Sequence, residues 1–156
     1  MTNRVEGEMK ALIVGLNSCV CAVPLTHVIE TMRPLPVEPI SGVPPFVRGI
    51  SIIRGIPTPV VDLGAVLGTS GERAERFVTL RLGDKQVALS VDAVLGVRDL
   101  ETIVMTRELP PLLQRASKDV VETIGTLDKQ VLMVLRTGWE LPDEVWETLR
   151  AQEAVS

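Results

Sequence analysis

Apolar and polar residues alternate along most of the chain, and a two-residue period is typical of β-strands. In residues 76–91, Val78 and Leu80 alternate with polar residues, Gly83-Asp84 suits a tight turn, and the alternation then returns. Three more segments follow this plan: residues 10–24 with a turn at Asn17-Ser18, residues 46–63 with a turn at Arg54-Gly55, and residues 123–136 with a turn at Asp128-Lys129. The pattern therefore predicts four β-hairpins and an all-β fold.

Helix signals are few, and two of the three are short. Residues 24–31 and 62–67 each hold about one and a half turns of helix-compatible sequence, and Asp62 is placed to cap the second. The third segment is terminal, at residues 141–155, where Pro142 lies near the first helical position and acidic residues follow. Its residues Val145, Trp146 and Leu149 share one stripe, so we expect this helix to dock on the strands.

Two segments hint at an internal repeat. Residues 21–33 and 87–99 share the order of a strand, a short helical turn and a run that ends near an arginine. A true repeat would mean two similar small barrels in one chain, although short runs of valine and leucine also match by chance. Between the first of these segments and the next strand, residues 33–45 are too rich in proline for a regular element and predict a connecting loop.

Composition and charge narrow the class of protein. The chain has 156 residues, of which 46% are hydrophobic, and this is enough to bury a core. Its net charge of −4 disfavours contacts to a nucleic acid backbone. The longest apolar runs fall far short of the roughly 20 residues that cross a bilayer, and the first residues lack the features of a secretory signal. We therefore expect a cytoplasmic globular protein that binds no nucleic acid and inserts in no membrane.

The residues that usually carry catalysis or bind metals form no convincing group. Cys19 and Cys21 are two residues apart, so in a strand they lie on one face, and we interpret them as reduced core or edge residues. A metal site would need further ligands, yet the chain has a single histidine, His27, with no nucleophile motif nearby. We expect no catalytic residue, no metal and no cofactor, and hence no enzyme.

Several motifs in a fixed order resemble the CheW-like domain, the coupling module of bacterial chemosensory arrays. These are a strand that ends in a proline, a short Val-x-Glu helix at Val28 to Glu30, the loop "GVPPFVRG", the hairpin "RG-x-x-x-PVVDL" and later "VALSVDAVLGV". The resemblance covers roughly residues 10–138. It implies a single domain made of two small five-stranded SH3-like β-barrels packed together, with short connecting helical turns. Residues 139–156 then form a C-terminal extension that contains the helix.

The resemblance also implies a role and a set of partners. Members of the family are scaffolds without an active site, which bind the regulatory domain of a CheA-type histidine kinase and the cytoplasmic tip of methyl-accepting chemoreceptors. The expected location is the cytoplasm, with recruitment to membrane-associated receptor arrays and self-association in array rings as a further option. A rival interpretation from a different class is a small-molecule-binding or enzymatic β-barrel with a pocket between the two halves.

The match to the family also indicates which positions contact partners. Gly49 aligns with a glycine of the family, and it either touches a partner or lies where the backbone tolerates no side chain. Gly55 lets the chain turn beside Arg54, which we interpret as a contact residue displayed at the turn. The predicted partner-binding residues are Val28, Glu30, Gly49, Ile52, Arg54 and Gly55.

One of these positions departs from the family. Where the usual motif has an asparagine two residues before the arginine, this chain has Ile52 in "IIRG". An asparagine there could hydrogen-bond to the turn or to a partner, whereas isoleucine can only pack. Ile52 therefore marks a place where this chain differs from its relatives in what it binds.

Overall fold

The structure is a computed structural model that describes residues 10–68, 76–100, 105–106, 120–136 and 141–155. In these residues the chain forms mainly β-strands, together with a 3-10 turn at Leu25–His27 and two α-helices, α1 (Leu63–Val66) and α2 (Asp143–Val155). The strands are β1 (Lys10–Gly15), β2 (Val20–Pro24), β3 (Val28–Met32), β4 (Val47–Ile53), β5 (Ile56–Asp62), β6 (Arg76–Leu82), β7 (Lys85–Val91), β8 (Ala93–Asp99), β9 (Met105–Thr106), β10 (Val121–Leu127) and β11 (Gln130–Leu135).

The strands form two sheets. The first sheet has the order β8-β1-β2-β11-β10 and is extended by the two-residue strand β9, and the second has the order β3-β6-β7-β5-β4. Neighbouring strands are antiparallel except for β11 beside β2 and β5 beside β7, which are parallel. The predicted fold class, an all-β fold of two five-stranded SH3-like units with a C-terminal helix, is confirmed.

The pairing of strands repeats between the two sheets residue by residue. Ile13 pairs with Ala22 in the first sheet, and Thr79 pairs with Ala88 in the second. Both residues of the second pair lie 66 positions after their counterparts in the first pair (13 to 79, 22 to 88). The two parallel pairs also correspond, because Val134 lies opposite Ala22 in the first sheet and Val60 lies opposite the corresponding Ala88 in the second. The repeat suggested by residues 21–33 and 87–99 is therefore present in the structure.

The chain passes from the first sheet to the second after β2 and returns to the first after β7. The strand β2 belongs to the first sheet, but β3, which follows it directly, pairs with β6 in the second. In the same way β7 belongs to the second sheet, and β8 after it pairs with β1 in the first. The second sheet is therefore built from one continuous stretch of chain, β3 to β7, which lies between the β1–β2 and β8–β11 parts of the first sheet.

A single apolar cluster joins both sheets and the terminal helix. It contains Val14 and Cys21 of the first sheet, Val61 and Leu89 of the second, and Val145 of α2. The predicted stripe on α2 is confirmed, because Val145 and Leu149 are buried and Trp146 is half-buried against the cluster. The helix α2 therefore contributes residues to the main core and does not merely lie on its surface.

The turns between the strands follow the local sequence. All four predicted hairpins are present, and the central residues of two of their turns, Arg54-Gly55 and Asp128-Lys129, have positive φ angles of 52° and 78°, and of 50° and 68°. Positive φ at both central residues matches the right-handed twist of the flanking strands. The predicted cap is also confirmed, since the Asp62 carboxylate accepts a hydrogen bond from the Ala65 backbone N–H at 3.2 Å.

One prediction about local structure is wrong. The helical turn expected at residues 24–31 is limited to Leu25–His27, and Val28 and Glu30 lie on strand β3 instead of on a helix. The β-branched residues Val28, Ile29 and Thr31 favour extended backbone, and pairing with β6 supplies the hydrogen bonds that a helix would otherwise make.

The described residues include no helix that is both long and apolar enough to cross a membrane.

We expect Val60→Asp to abolish the fold. Val60 is fully buried on β5 against Phe77 and Ala88, so an aspartate there would be an unpaired buried charge and would cost at least about 3 kcal/mol in free energy of unfolding. Urea unfolding followed by circular dichroism measures this loss. The matched control is Val131→Asp on the exposed face of β11, which should change stability by less than about 1 kcal/mol. Equal stability of the two variants would contradict the assignment of the core.

Candidate partner-binding surface

Two of the predicted site residues bind each other. Arg54 lies at the first central position of the β4–β5 turn, and its Nε and Nη2 atoms donate hydrogen bonds to the two carboxylate oxygens of Glu30 at 2.6 and 2.7 Å. The Thr79 hydroxyl donates to the Glu30 carbonyl oxygen at 3.3 Å and holds that part of β3 against β6. This two-point geometry fixes the plane of the guanidinium as well as its distance from the carboxylate.

The pair joins opposite ends of the second sheet. In the order of strands, β3 with Glu30 is at one edge, while the β4–β5 hairpin with Arg54 is at the other. Side chains from the two edges can meet only if the sheet curls around. The Glu30–Arg54 contact therefore closes the second sheet on itself in the manner of a barrel.

The pair is on the surface. The Arg54 side chain is 73% exposed and the Glu30 side chain is 26% exposed. The hydrogen bonds from Arg54 lower the pKa of Glu30, and those same bonds raise the pKa of Arg54, so both groups are charged at neutral pH. Exposed ion pairs add little to stability because water screens them. The pair therefore acts mainly to orient the two charges toward solvent.

Exposed aliphatic residues surround this pair. Ile52 is 60% exposed two positions before Arg54, and Ile56 is exposed two positions after it. Ile29, which precedes Glu30 and lies at a bulge of β3, is exposed as well. We call these five residues, Ile29, Glu30, Ile52, Arg54 and Ile56, the charged-pair surface. Sequence analysis missed Ile29 and Ile56, because only the placement of both strands shows that these apolar side chains have no neighbour in the core.

The other predicted site residues lie beside this surface or support it. Val28 is half-buried and packs against the main core. Gly55 completes the turn at positive φ, and no atom lies within 4 Å of where its side chain would begin. Gly49 is buried at a φ of 147°, and a Cβ there would lie 2.1 Å from the Glu38 carbonyl oxygen. Of the two interpretations of Gly49, the structure therefore favours the one based on close backbone approach.

The close approach at Gly49 has a clear cause. Glu38, in the proline-rich loop, bridges to Ile50 of β4 through two backbone hydrogen bonds of 2.7 and 2.9 Å. These bonds satisfy the outer edge of β4, which would otherwise expose unpaired groups. The loop is thus an ordered part of the second sheet, and Gly49 is the residue that lets it lie so close.

The first sheet has a corresponding ion pair with the charges reversed. Asp128 lies in the β10–β11 turn, which corresponds to the turn with Arg54, and its carboxylate is 4.0 Å from the Arg98 guanidinium on β8. The strand β8 corresponds to β3. One sheet therefore has a carboxylate on the strand and a cation in the turn, and the other has the opposite arrangement.

No metal-binding cluster is found among the residues that the structure describes. No three His, Cys, Asp or Glu side chains of those ranges are arranged to hold a metal ion. Cys19 and Cys21 are buried and reduced in the same core cluster, as predicted, and burial raises the pKa of both thiols. Because the thiolate is the reactive form, these cysteines are unreactive core residues.

The structure has a cavity of about 240 Å³, which lies between the β4–β5 hairpin, the β6–β7 turn and α2. The rival interpretation had placed a pocket between the two halves. This cavity instead belongs to the second sheet and the terminal helix, because docking of α2 leaves a gap beside the hairpin.

Comparison with known proteins gives a consistent result. The family model of the CheW-like domain matches residues 10–138. The chain is 27% identical over 123 residues to the chemotaxis protein CheW of Thermotoga maritima, which covers 77% of this chain and 82% of that protein. It is 26% identical over 99 residues to the chemotaxis protein CheW of Klebsiella aerogenes, covering 62% of this chain and 59%, less than two thirds, of that protein.

A solved structure agrees with the fold. The crystal structure of the scaffolding protein TtCheW from Thermoanaerobacter tengcongensis superposes with a TM-score of 0.68 at 23% identity. The superposition covers 86% of this chain and 97% of that one. The whole two-sheet arrangement, and not one half of it, is therefore shared.

Gly49→Ala should destabilise the protein. A Cβ at this position would displace the Glu38 carbonyl oxygen and break the bridge to Ile50, so we expect a loss of about 2 kcal/mol or more in free energy of unfolding. Gly55→Asn is the control, because asparagine tolerates positive φ and the position is open. Denaturant unfolding distinguishes the two. A stable Gly49→Ala protein that fails to bind partners would instead assign Gly49 to the contact itself.

Glu30 should make stability depend on pH in the acidic range. Its pKa is lower in the folded than in the unfolded protein, so its contribution is present above the unfolded pKa and is lost as pH falls through the folded pKa. The native protein should therefore exceed Glu30→Gln in stability at neutral pH, and this difference should shrink as pH falls below the ordinary pKa of glutamate and vanish below the lowered pKa of folded Glu30. Urea unfolding across pH measures it. Glu147→Gln on α2 controls for loss of a surface carboxylate, and identical profiles for both variants would contradict a specific role of the pair.

Proposed function

The chain belongs to the CheW-like domain family, and on this basis we propose that it is a non-enzymatic scaffold that couples chemoreceptors to a histidine kinase. The kinase is of the CheA type and binds through its regulatory domain, and the receptor binds through its cytoplasmic tip. The scaffold acts in the cytoplasm, where it is recruited to receptor arrays at the membrane. The named relatives, two chemotaxis proteins and a scaffolding protein, support this role.

The observation that carries the proposal is the charged-pair surface. Aliphatic side chains that remain exposed around an oriented arginine have the composition of an interface centre, where apolar contacts exclude water from a charged anchor. The backbone supports the same view, because Arg54 occupies the left-handed region, where asparagine or glycine would be more favourable. The presence of arginine at this unfavourable position supports a role of its side chain in binding.

The two ends of the molecule suit two different partners. A scaffold must hold its partners at separate places, and the repeated fold supplies two corresponding ends. The end formed by the second sheet has Arg54 in its turn, whereas the end formed by the first sheet has Asp128, with Leu95 and Val97 exposed on β8. Because the charges are reversed, a partner that fits one end is repelled at the other. Self-association in rings would use the same two ends.

The test is a sedimentation assay with a receptor signalling fragment arrayed on lipid vesicles and the CheA-type kinase of the same organism. We expect the protein to sediment with the receptor, to recruit the kinase and to raise its autophosphorylation. Absence of binding to both partners would overturn the proposal.

Charge variants then locate the contact. Arg54→Glu should weaken binding of at least one partner by roughly tenfold or more, as expected of an interface arginine. The double variant Glu30→Arg with Arg54→Glu restores an ion pair and therefore stability, but it should still fail to bind, since the partner now meets the opposite charge. The control Arg76→Glu changes an exposed arginine of β6 outside this surface. Full binding by the double variant would mean that the pair matters only for the fold.

A further inference from the structure

The cavity beside α2 has apolar walls that come from two separate elements. Ile50 and Pro57 line it from the β4–β5 hairpin, while Trp146 and Leu149 line it from the helix. Its volume of about 240 Å³ is room for roughly eight water molecules at the volume each has in the liquid. It is therefore large enough for one aromatic ring or branched aliphatic chain, and too small for a helix of a protein partner.

Two cations also line this cavity. The Lys85 ammonium lies 5.1 Å from the centre of the Trp146 ring, which holds it beside the apolar wall, and Arg150 lines the same space from the next turn of α2. Neither forms an ion pair within the described parts of the chain, where the two ion pairs are Arg54 with Glu30 and Arg98 with Asp128. Asp84 is the one carboxylate in the lining, so the charges around the cavity sum to one positive.

We propose that this cavity binds a small amphipathic monocarboxylate, with an aromatic or branched aliphatic body. The apolar body would replace water against Ile50, Pro57 and Leu149, and the carboxylate would accept hydrogen bonds from Lys85 and Arg150. A neutral ligand of the same shape would keep only uncharged hydrogen bonds to these cations, which are weaker, and a cationic one would be repelled. This binding site borders the charged-pair surface at Ile56, which belongs to both, but its cations are different residues and it does not depend on the proposed scaffold role.

Three probes with one ring and different charges test this inference: phenylacetate, phenylacetamide and 2-phenylethylamine. Each is titrated into the 156-residue protein by calorimetry, and into a Trp139→Phe variant, in which Trp146 is the one remaining tryptophan, by fluorescence. We expect phenylacetate to bind saturably at least about fivefold more tightly than the amide, and the amine not to bind. Phenylacetate should also raise the melting temperature, because it binds the folded state alone.

Variants of the two cations assign the site. Lys85→Gln with Arg150→Gln should remove the preference for the acid over the amide, while Lys129→Gln, in the turn of the first sheet, should leave that preference unchanged. Circular dichroism and the melting temperature without probe confirm that each variant is folded. Equal binding of all three probes, or no saturation by phenylacetate below about 10 mM, which is the affinity of a ten-atom ligand of ordinary efficiency, would overturn the proposal. So would an unchanged preference in the double variant.

Discussion

The two crossings of the chain, from the first sheet to the second after β2 and back to the first after β7, are the constraint that shapes the rest of the molecule. At the end of β2, Pro24 and the 3-10 turn of Leu25–His27 lead the chain out of the first sheet, and at the end of β7 the single residue Asp92 does the same for the second. The first sheet is therefore completed only after the chain has traversed the whole second sheet, because its strands come from before β3 and after β7. The shared core and the closed second sheet are consequences of this arrangement.

The charged-pair surface depends directly on the first of these crossings, from β2 to β3. Glu30 meets Arg54 because β3 has crossed to the second sheet, where the sheet curls and brings its two edges together. The pair itself is exposed and contributes little to stability, whereas β4 and β5, which position Arg54, bury residues such as Ile53 and Val60 in the core. A packed framework thus displays two charges and several aliphatic side chains at its surface, and this agrees with the binding role that we propose for them.

Sequence reasoning succeeded where structure is local and was limited where it depends on distant contacts. The hairpin at Arg54-Gly55 and the cap at Asp62 follow from a few adjacent residues, and both are present. Val28 was assigned to a helix because its segment fits either period, and only pairing with β6 decides for a strand. Glu30 and Arg54 were both identified as site residues, yet no sequence pattern reveals that side chains 24 positions apart bind each other.

The order in which the chain builds the two sheets also determines how it could be divided. A break between α1 and β6 would leave one fragment with β1 to β5 and another with β6 to β11 and α2, and every sheet would then need strands from both. Neither fragment contains a complete sheet, so each would keep open edges and exposed apolar faces until it met the other. Halves of this protein would therefore have to meet to complete both sheets, with β1 and β2 of one half pairing with β8 and β11 of the other, and β6 and β7 pairing with β3 and β5.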